Sequence, residues 1–364
     1  MDNITSTESV GREIRRRTRK KYSSEEKIRR NILALVVILT LVFVGCDSNT
    51  EKQTSETPVL EGPYLGMKPP GDTPEIFAPD IISTNMNAAK IAFSPDGREI
   101  FFRLMNYNHS FYTIVFMKQE NGVWSKPEVA PFSGKYHDTD PYFSLDGKQL
   151  FFGSNRPLEG QKVPKDPDIW VVERKESGWS TPVNLGFIVN SDKGDMNPAV
   201  SQNGTLYFSS NRDGGKGNND IYMSKLINGK YAQVENLGDA INTSFTESGP
   251  YIASDESYII FNRYSSDTGS GLHISFRKND GSWNKAINMG KTINTENAGM
   301  HGFVSPDSKY LFFTSERNPY FPYPDHNLTY DEIVKIFNSP LNGSYNIYWV
   351  DAGIIEKLKK EVLK

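Results

Sequence analysis

The chain has 364 residues, of which 37% are hydrophobic, 12% aromatic and 23% charged, with 29 glycines and 21 prolines. Such a length admits two domains or one large all-β domain, while the aromatic, glycine and proline content excludes a coiled coil, a collagen and wholesale disorder. The net charge of -3 averages unlike regions: 10 Lys/Arg against 5 Asp/Glu in residues 1–30, and 31 basic against 39 acidic side chains from Cys46 onward. That acidic balance disfavours nucleic-acid binding by the body of the chain, because phosphate neutralisation needs clustered cations.

Taken in chain order, Arg29-Arg30 precede an uncharged apolar run over residues 32–44 that ends at Gly45-Cys46. As a helix, the run covers about 20 Å against a hydrocarbon core of about 30 Å, so it is expected to be a signal-peptide core rather than a permanent span, with residues 1–45 forming a basic arm and lipoprotein signal segment. The stretch Phe43-Val-Gly-Cys46 resembles a bacterial lipobox, with Phe43 in place of the usual Leu. That resemblance implies lipid on Cys46 and a place in the bacterial cell envelope, outside the cytoplasm, with the inner or outer membrane left open. Cys46 is also the only cysteine, so no intrachain disulfide forms. Residues 11–29 resemble the N-terminal segment of insertion-sequence transposases, but no helix-turn-helix follows. They read as a long basic n-region or a fused gene start. Residues 46–73 begin with the lipidated cysteine and continue as a polar, aperiodic tether.

Beyond residue 74 one module recurs five times. It reads Phe93-Ser-Pro-Asp-Gly-Arg-Glu-Ile-Phe-Phe102 first, and returns around Asp146, Asn203, Asp255 and Asp307, at spacings of 50, 57, 52 and 52. Each copy predicts a strand, a tight turn closed by an Asp or Asn side chain, and an aromatic strand. A third strand follows, as in Asp168-Ile-Trp-Val-Val172 and Asp220-Ile-Tyr-Met223, and then a fourth segment such as Trp124-Ser-Lys-Pro127 or Trp179-Ser-Thr-Pro182. Four short strands per copy predict a β-propeller blade, whose aromatics bury against neighbouring blades. The fifth copy lacks its fourth segment, and Thr73-Pro-Glu-Ile-Phe-Ala-Pro79 matches the missing piece, so residues 74–82 are expected to close the ring. Five blades are the direct count over residues 74–350. Six remain open if residues 61–83 or the long fifth copy hold further strands. Within that copy, Thr329–Phe337 predicts a short helix, and residues 351–364 predict a C-terminal helix capped by Asp351.

The module, with Ser-Pro-Asp-Gly, Asn155-Arg156, Asn211-Arg212, Asn262-Arg263 and the Asp168 and Asp220 strands, resembles the WD40-like or PD40 repeat of TolB-family propellers. The resemblance implies an all-β propeller and, from familiar relatives, protein or peptide binding; propellers also host enzymes, so it transfers fold better than function.

Aligning the copies on their turns places Asp138, Asp195 and Glu247 in one column, eight residues before the turn, with Ala88 and Gly299 in the other two copies. His137, Asp140, Asn197, Thr246, Ser248 and His301 lie around them, and the group is the candidate channel-mouth cluster. Three readings are open for it. Asp138, Asp195 and Glu247 are hard oxygen ligands suited to a divalent metal such as calcium. Two of the carboxylates have the chemistry for glycoside hydrolysis. Alternatively, all three hydrogen-bond loop backbones and channel waters. His109, His273 and His326 lack paired ligand spacing, and no phosphate loop, zinc-protease helix or Gly-x-Ser-x-Gly elbow is present. The expectation is a membrane-tethered, noncatalytic propeller that binds a protein, peptide or glycan, with no nucleic-acid partner. The alternative is a glycan-processing or metal-dependent site at the channel mouth.

Overall fold

The computed structural model describes residues 60–163, 165–265, 269–295, 299–316 and 324–362. The expected signal segment, Cys46 and half of the expected tether, residues 46–59, lie outside the described residues. No helix among the described residues is long and apolar enough to cross a membrane.

Five antiparallel sheets form a closed propeller. The first blade consists of Asn87–Phe93, Glu99–Met105, Tyr112–Glu120 and Glu128–Val129. The second uses Asp138–Phe143, Gln149–Ser154, Asp168–Lys175 and Val183–Asn184. Asp195–Val200, Leu206–Ser210, Asp220–Ser224 and Glu235–Asn236 make the third. Thr246–Ile252, Tyr258–Ser265, Gly269–Phe276 and Ile287–Asn288 make the fourth. In the fifth, Met300–Val304, Tyr310–Ser315 and Asn346–Asp351 are joined by Glu75–Ile76 from the start of the domain. Each first strand packs on the first strands of both neighbouring blades, and the fifth returns to the first. These five strands therefore line the central channel.

The turns work as their residue types predict. Asp96 and Asp146 each accept from a serine hydroxyl two residues earlier and a backbone N–H two residues later. The second strands bury consecutive aromatics, Phe101-Phe102, Phe151-Phe152, Tyr207-Phe208 and Phe312-Phe313, all at 2% exposure or less. Successive strand residues face opposite sides of a sheet, so a blade packed between two others needs apolar side chains on both.

Closure follows the expected route. Glu75 pairs with Trp349 and Ile76 with Tyr348, and the Phe77 N–H donates to the Ile347 carbonyl at 2.8 Å. Phe77 is fully buried against Phe312 and Trp349. Residues ahead of this strand form no sixth blade. Instead the Gly62 carbonyl accepts from the Trp124 indole of the first blade, and Tyr64 packs on Tyr310 and donates its hydroxyl to Asp307 of the fifth. This segment clasps the seam between the fifth and first blades, and the closing strand covers the edge of Asn346–Asp351.

One expectation is corrected. The tryptophan segments are not the fourth strands: Val123–Trp124 and Gly178–Trp179 fold back as hairpins on the overhanging ends of the third strands. The fourth ladder pairs begin four residues after each tryptophan, at Glu128–Val129 and Val183–Asn184. Helices occur over Tyr330–Phe337, with a Thr329–Glu332 capping box, and Gly353–Val362, which docks through buried Ile355.

Candidate functional site at the channel mouth

Every first strand carries one extra residue relative to its partner, a β-bulge, at an equivalent place. Its register slips between Ala89 and Ile91, Thr139 and Tyr142, Met196 and Ala199, Ser248 and Tyr251, and Met300 and Phe303. In each slip one residue adopts the left-handed conformation: Lys90, Asp140, Asn197, Gly249 and His301, with φ between 47° and 62°. A bulge breaks the alternation of the strand and re-aims a side chain. These five residues form the polar ring of the channel. At Gly249 a Cβ would stand 3.1 Å from the His301 ring, so the missing side chain admits the imidazole.

Arg103 completes the ring from a second strand. Its register partner is Ala89, and the equivalent places in the other blades hold Gly153, Ser209, Asn262 and Thr314. Its guanidinium donates to Thr139 at 2.8 Å and Asp140 at 3.3 Å, and contacts His301 Nε2 at 3.2 Å. Asn197 donates to the other Asp140 oxygen at 2.5 Å and accepts from Ser209 at 2.6 Å. Because arginine can only donate, His301 Nε2 accepts and the imidazole proton sits on Nδ1. Burial, then the Arg103 and Lys90 charges, hold the His301 pKa well below its ordinary value. Lys90 is fully buried, and burial lowers its pKa to about 8 although Asp140 acts in the opposite direction.

The three carboxylates aligned by the repeat do not share one cavity with this ring. Asp138 pairs with Arg156 at 2.6 Å, Asp195 with Arg212 at 2.6 Å and Glu247 with Arg263 at 2.7 Å, each wholly buried within its own blade. Hydroxyls complete the pairs: Ser133 and Ser154 on Asp138, Ser191 on Asp195, Thr243 on Glu247. Arg156 and Arg212 also stack on aromatics of their blades. Fully paired carboxylates of this kind hold a blade's first strand to the end of its second. Among the described residues, no group of three His, Cys, Asp or Glu is placed to hold a metal ion.

Of the predicted cluster, Asp140, Asn197 and His301 thus come together, and His137 stands at the rim. Its ring lies 5.3 Å from Tyr112 and 5.9 Å from Phe111, while Arg103 lies 5.7 Å from the Tyr112 centroid. A chain of contacts therefore leads from exposed Phe111 to the buried ring. Lys90 and Arg103 escaped the sequence reading, which followed a column eight residues before the turn; the ring lies six before. At the other end, mutual contacts among Tyr142, Tyr251 and Phe303 close the channel floor. The opposite face is built by the loops between second and third strands and between blades. That face exposes Tyr107, Phe111, Phe187, Tyr264, Tyr330 and Phe337.

No family model matches the chain, and no curated protein does. Solved structures of similar architecture include TolB from Acinetobacter baumannii, 16% identical with a TM-score of 0.42, covering 73% of this chain and 57% of that one. An α-L-arabinofuranosidase from Lactobacillus brevis is 13% identical with a TM-score of 0.47, covering 75% and 92%. The catalytic domain of an α-L-arabinofuranosidase from Coprinopsis cinerea is 10% identical with a TM-score of 0.43, covering 72% and 89%. This chain thus spans little more than half the length of that TolB, and likeness at this level concerns the fold alone.

Proposed function

We propose that this chain is a noncatalytic β-propeller, tethered to a membrane through lipid on Cys46, that offers its loop face and channel mouth to a protein, peptide or glycan of the cell envelope. One observation carries the reading: the four acids of the candidate cluster are each paired with a cation. Asp138, Asp195 and Glu247 have arginine partners within their own blades, and Asp140 has Arg103. Glycoside hydrolysis needs two carboxyl groups free to act as acid and as base or nucleophile. The exposed aromatics of the same face suit recognition, since they offer large rigid contact area.

The test is retention without turnover. The purified full chain is screened against arrayed envelope glycans and peptides, with mass spectrometry of everything released. A retained ligand of unchanged mass is expected, with affinity falling roughly tenfold when Tyr107→Ser and Phe111→Ser are combined. Release of cleaved product, or retention indifferent to the rim, refutes the proposal.

A further inference from the structure

The polar ring is unbalanced in one direction. Its acceptors are satisfied: both Asp140 oxygens receive hydrogen bonds, from Arg103 and Asn197, and the Asn197 oxygen receives one from Ser209. The His301 Nε2 lone pair is taken by Arg103. Its donors are not. Lys90 Nζ, Arg103 Nε and His301 Nδ1 are all buried without a hydrogen-bond partner among the described residues. Buried polar groups are ordinarily paired, so three orphan donors around one ring, with no orphan acceptor, describe the complement of an acceptor-only group.

Charge narrows the class. Lys90 and Arg103 carry two positive charges, Asp140 one negative, and His301 is neutral, which leaves one positive charge enclosed. A monoanion neutralises it, whereas a phosphate dianion would leave a buried negative charge beside Asp140. A carboxylate is the common monoanion with acceptors only, and its oxygens suit ammonium and guanidinium donors. The aromatic floor blocks the other end, so an acid enters from the loop face, past Phe111, His137 and Tyr112.

We propose that the channel ring binds the carboxylate of a small organic acid, held by Lys90 Nζ, Arg103 Nε and His301 Nδ1. This deepens the binding reading above and rests on it for the direction of entry. The carboxylate has two natural sources in an envelope ligand, a uronic acid sugar or a peptide C-terminus.

Calorimetric titration of the full chain separates them. The probes are glucuronate against methyl glucoside, the dipeptide Ala-Ala against its C-terminal amide, and inorganic phosphate. At least one carboxylate is expected to bind, at least tenfold more tightly than its neutral counterpart and than phosphate, and Lys90→Met is expected to abolish that binding while the chain stays folded by circular dichroism. Binding by neither acid, equal binding of the neutral counterparts, or unchanged binding by Lys90→Met overturns the proposal. Diffraction from crystals grown with the tighter acid is independent of any variant's folding: carboxylate oxygens beside Lys90 support the assignment, and an acid bound only elsewhere overturns it. Failure here with rim-dependent ligand retention intact removes the anion site and leaves the binding reading. Cleavage of a ligand whose carboxylate sits beside Lys90 supports the site and removes the noncatalytic reading.

Discussion

Replacing Lys90 by Met should make the unliganded protein more stable. The lysine side chain is fully enclosed, and burial lowers its pKa from 10.5 to about 8 against the attraction of Asp140. At 1.36 kcal/mol per unit, that shift amounts to about 3 kcal/mol of differential penalty on the charged form. The sign follows from proton counting. Between pH 8 and 10.5 the unfolded chain holds the lysine proton while the folded chain has released it, so stability rises with pH across that window and the penalty is present in full at pH 7. The charged and titratable groups facing the ammonium are Asp140, Arg103 and His301. Methionine keeps an unbranched stem without the charge. Urea unfolding followed by tryptophan fluorescence is expected to show Lys90→Met about 3 kcal/mol more stable than the parent at pH 7, with the gap closing towards pH 10.5. A carboxylate at one hundred times Kd should nearly close the gap, since about 2.7 kcal/mol accrues to the parent alone, and at one thousand times Kd, about 4.1 kcal/mol, it should reverse the order. A variant less stable than the parent at pH 7, or a gap that ignores pH, refutes the account of Lys90 as an uncompensated buried cation.

The remaining predictions concern the latches, the closure, the tautomer and the tether. Arg156→Ala strands the fully buried Asp138 carboxylate and should cost about 3–5 kcal/mol in chemical denaturation, much of it recovered by adding Asp138→Asn; a loss below 1 kcal/mol would sink the latch. Phe77→Ala empties a fully buried site between Phe312 and Trp349 and should cost about 3–5 kcal/mol, with a near-neutral result arguing against closure by this strand. Because the His301 pKa is depressed, its 15N spectrum at pH 6 should show a neutral ring protonated on Nδ1, and stability should fall as pH drops below the unfolded histidine value of about 6.5; an imidazolium at pH 6 contradicts the Arg103 contact. Cys46→Ser should move the protein from the membrane fraction to the soluble one, and a variant that still sediments with membranes excludes the lipid anchor.

The blade count was legible because the turns report themselves. Asp, Asn and Gly recur where the chain reverses, and buried aromatic pairs follow four of the five turns, so alignment on Asp96, Asp146, Asn203, Asp255 and Asp307 recovers the five first and second strands. The match between residues 73–79 and the tryptophan segment likewise located the closing strand. The fourth strands were misplaced for a definite reason. Trp124 does pair, but with Gln119 on the overhang of the third strand, and a two-residue pairing has no periodicity to reveal its partner.

The aligned carboxylates lie two residues from the polar ring, and the signal that locates the ring was present. In a regular strand the columns eight and six residues before the turn would share a face, so the acidic column was the natural choice for the channel. The bulge breaks that phase. Its mark is the residue types in the second column: Asp140, Asn197, Gly249 and His301 belong to the kinds that enter the left-handed region most readily. Pro141, Pro198 and Pro250 follow three of them, where a disrupted ladder has no use for an N–H. Lys90 is the exception in this column. It adopts φ 47° at a cost of about 1–2 kcal/mol, and there it encloses a charge beside Arg103 that Asp140 only partly offsets. The bulge lets the Lys90 N–H donate to the Thr314 hydroxyl of the fifth blade at 3.1 Å, but the buried charge returns nothing to the packing of the first blade, whose strands are already paired on both sides of the bulge. A position unfavourable in conformation and in electrostatics at once is where a structure is held for a partner, and the three unpaired donors around Lys90 specify what that partner must bring.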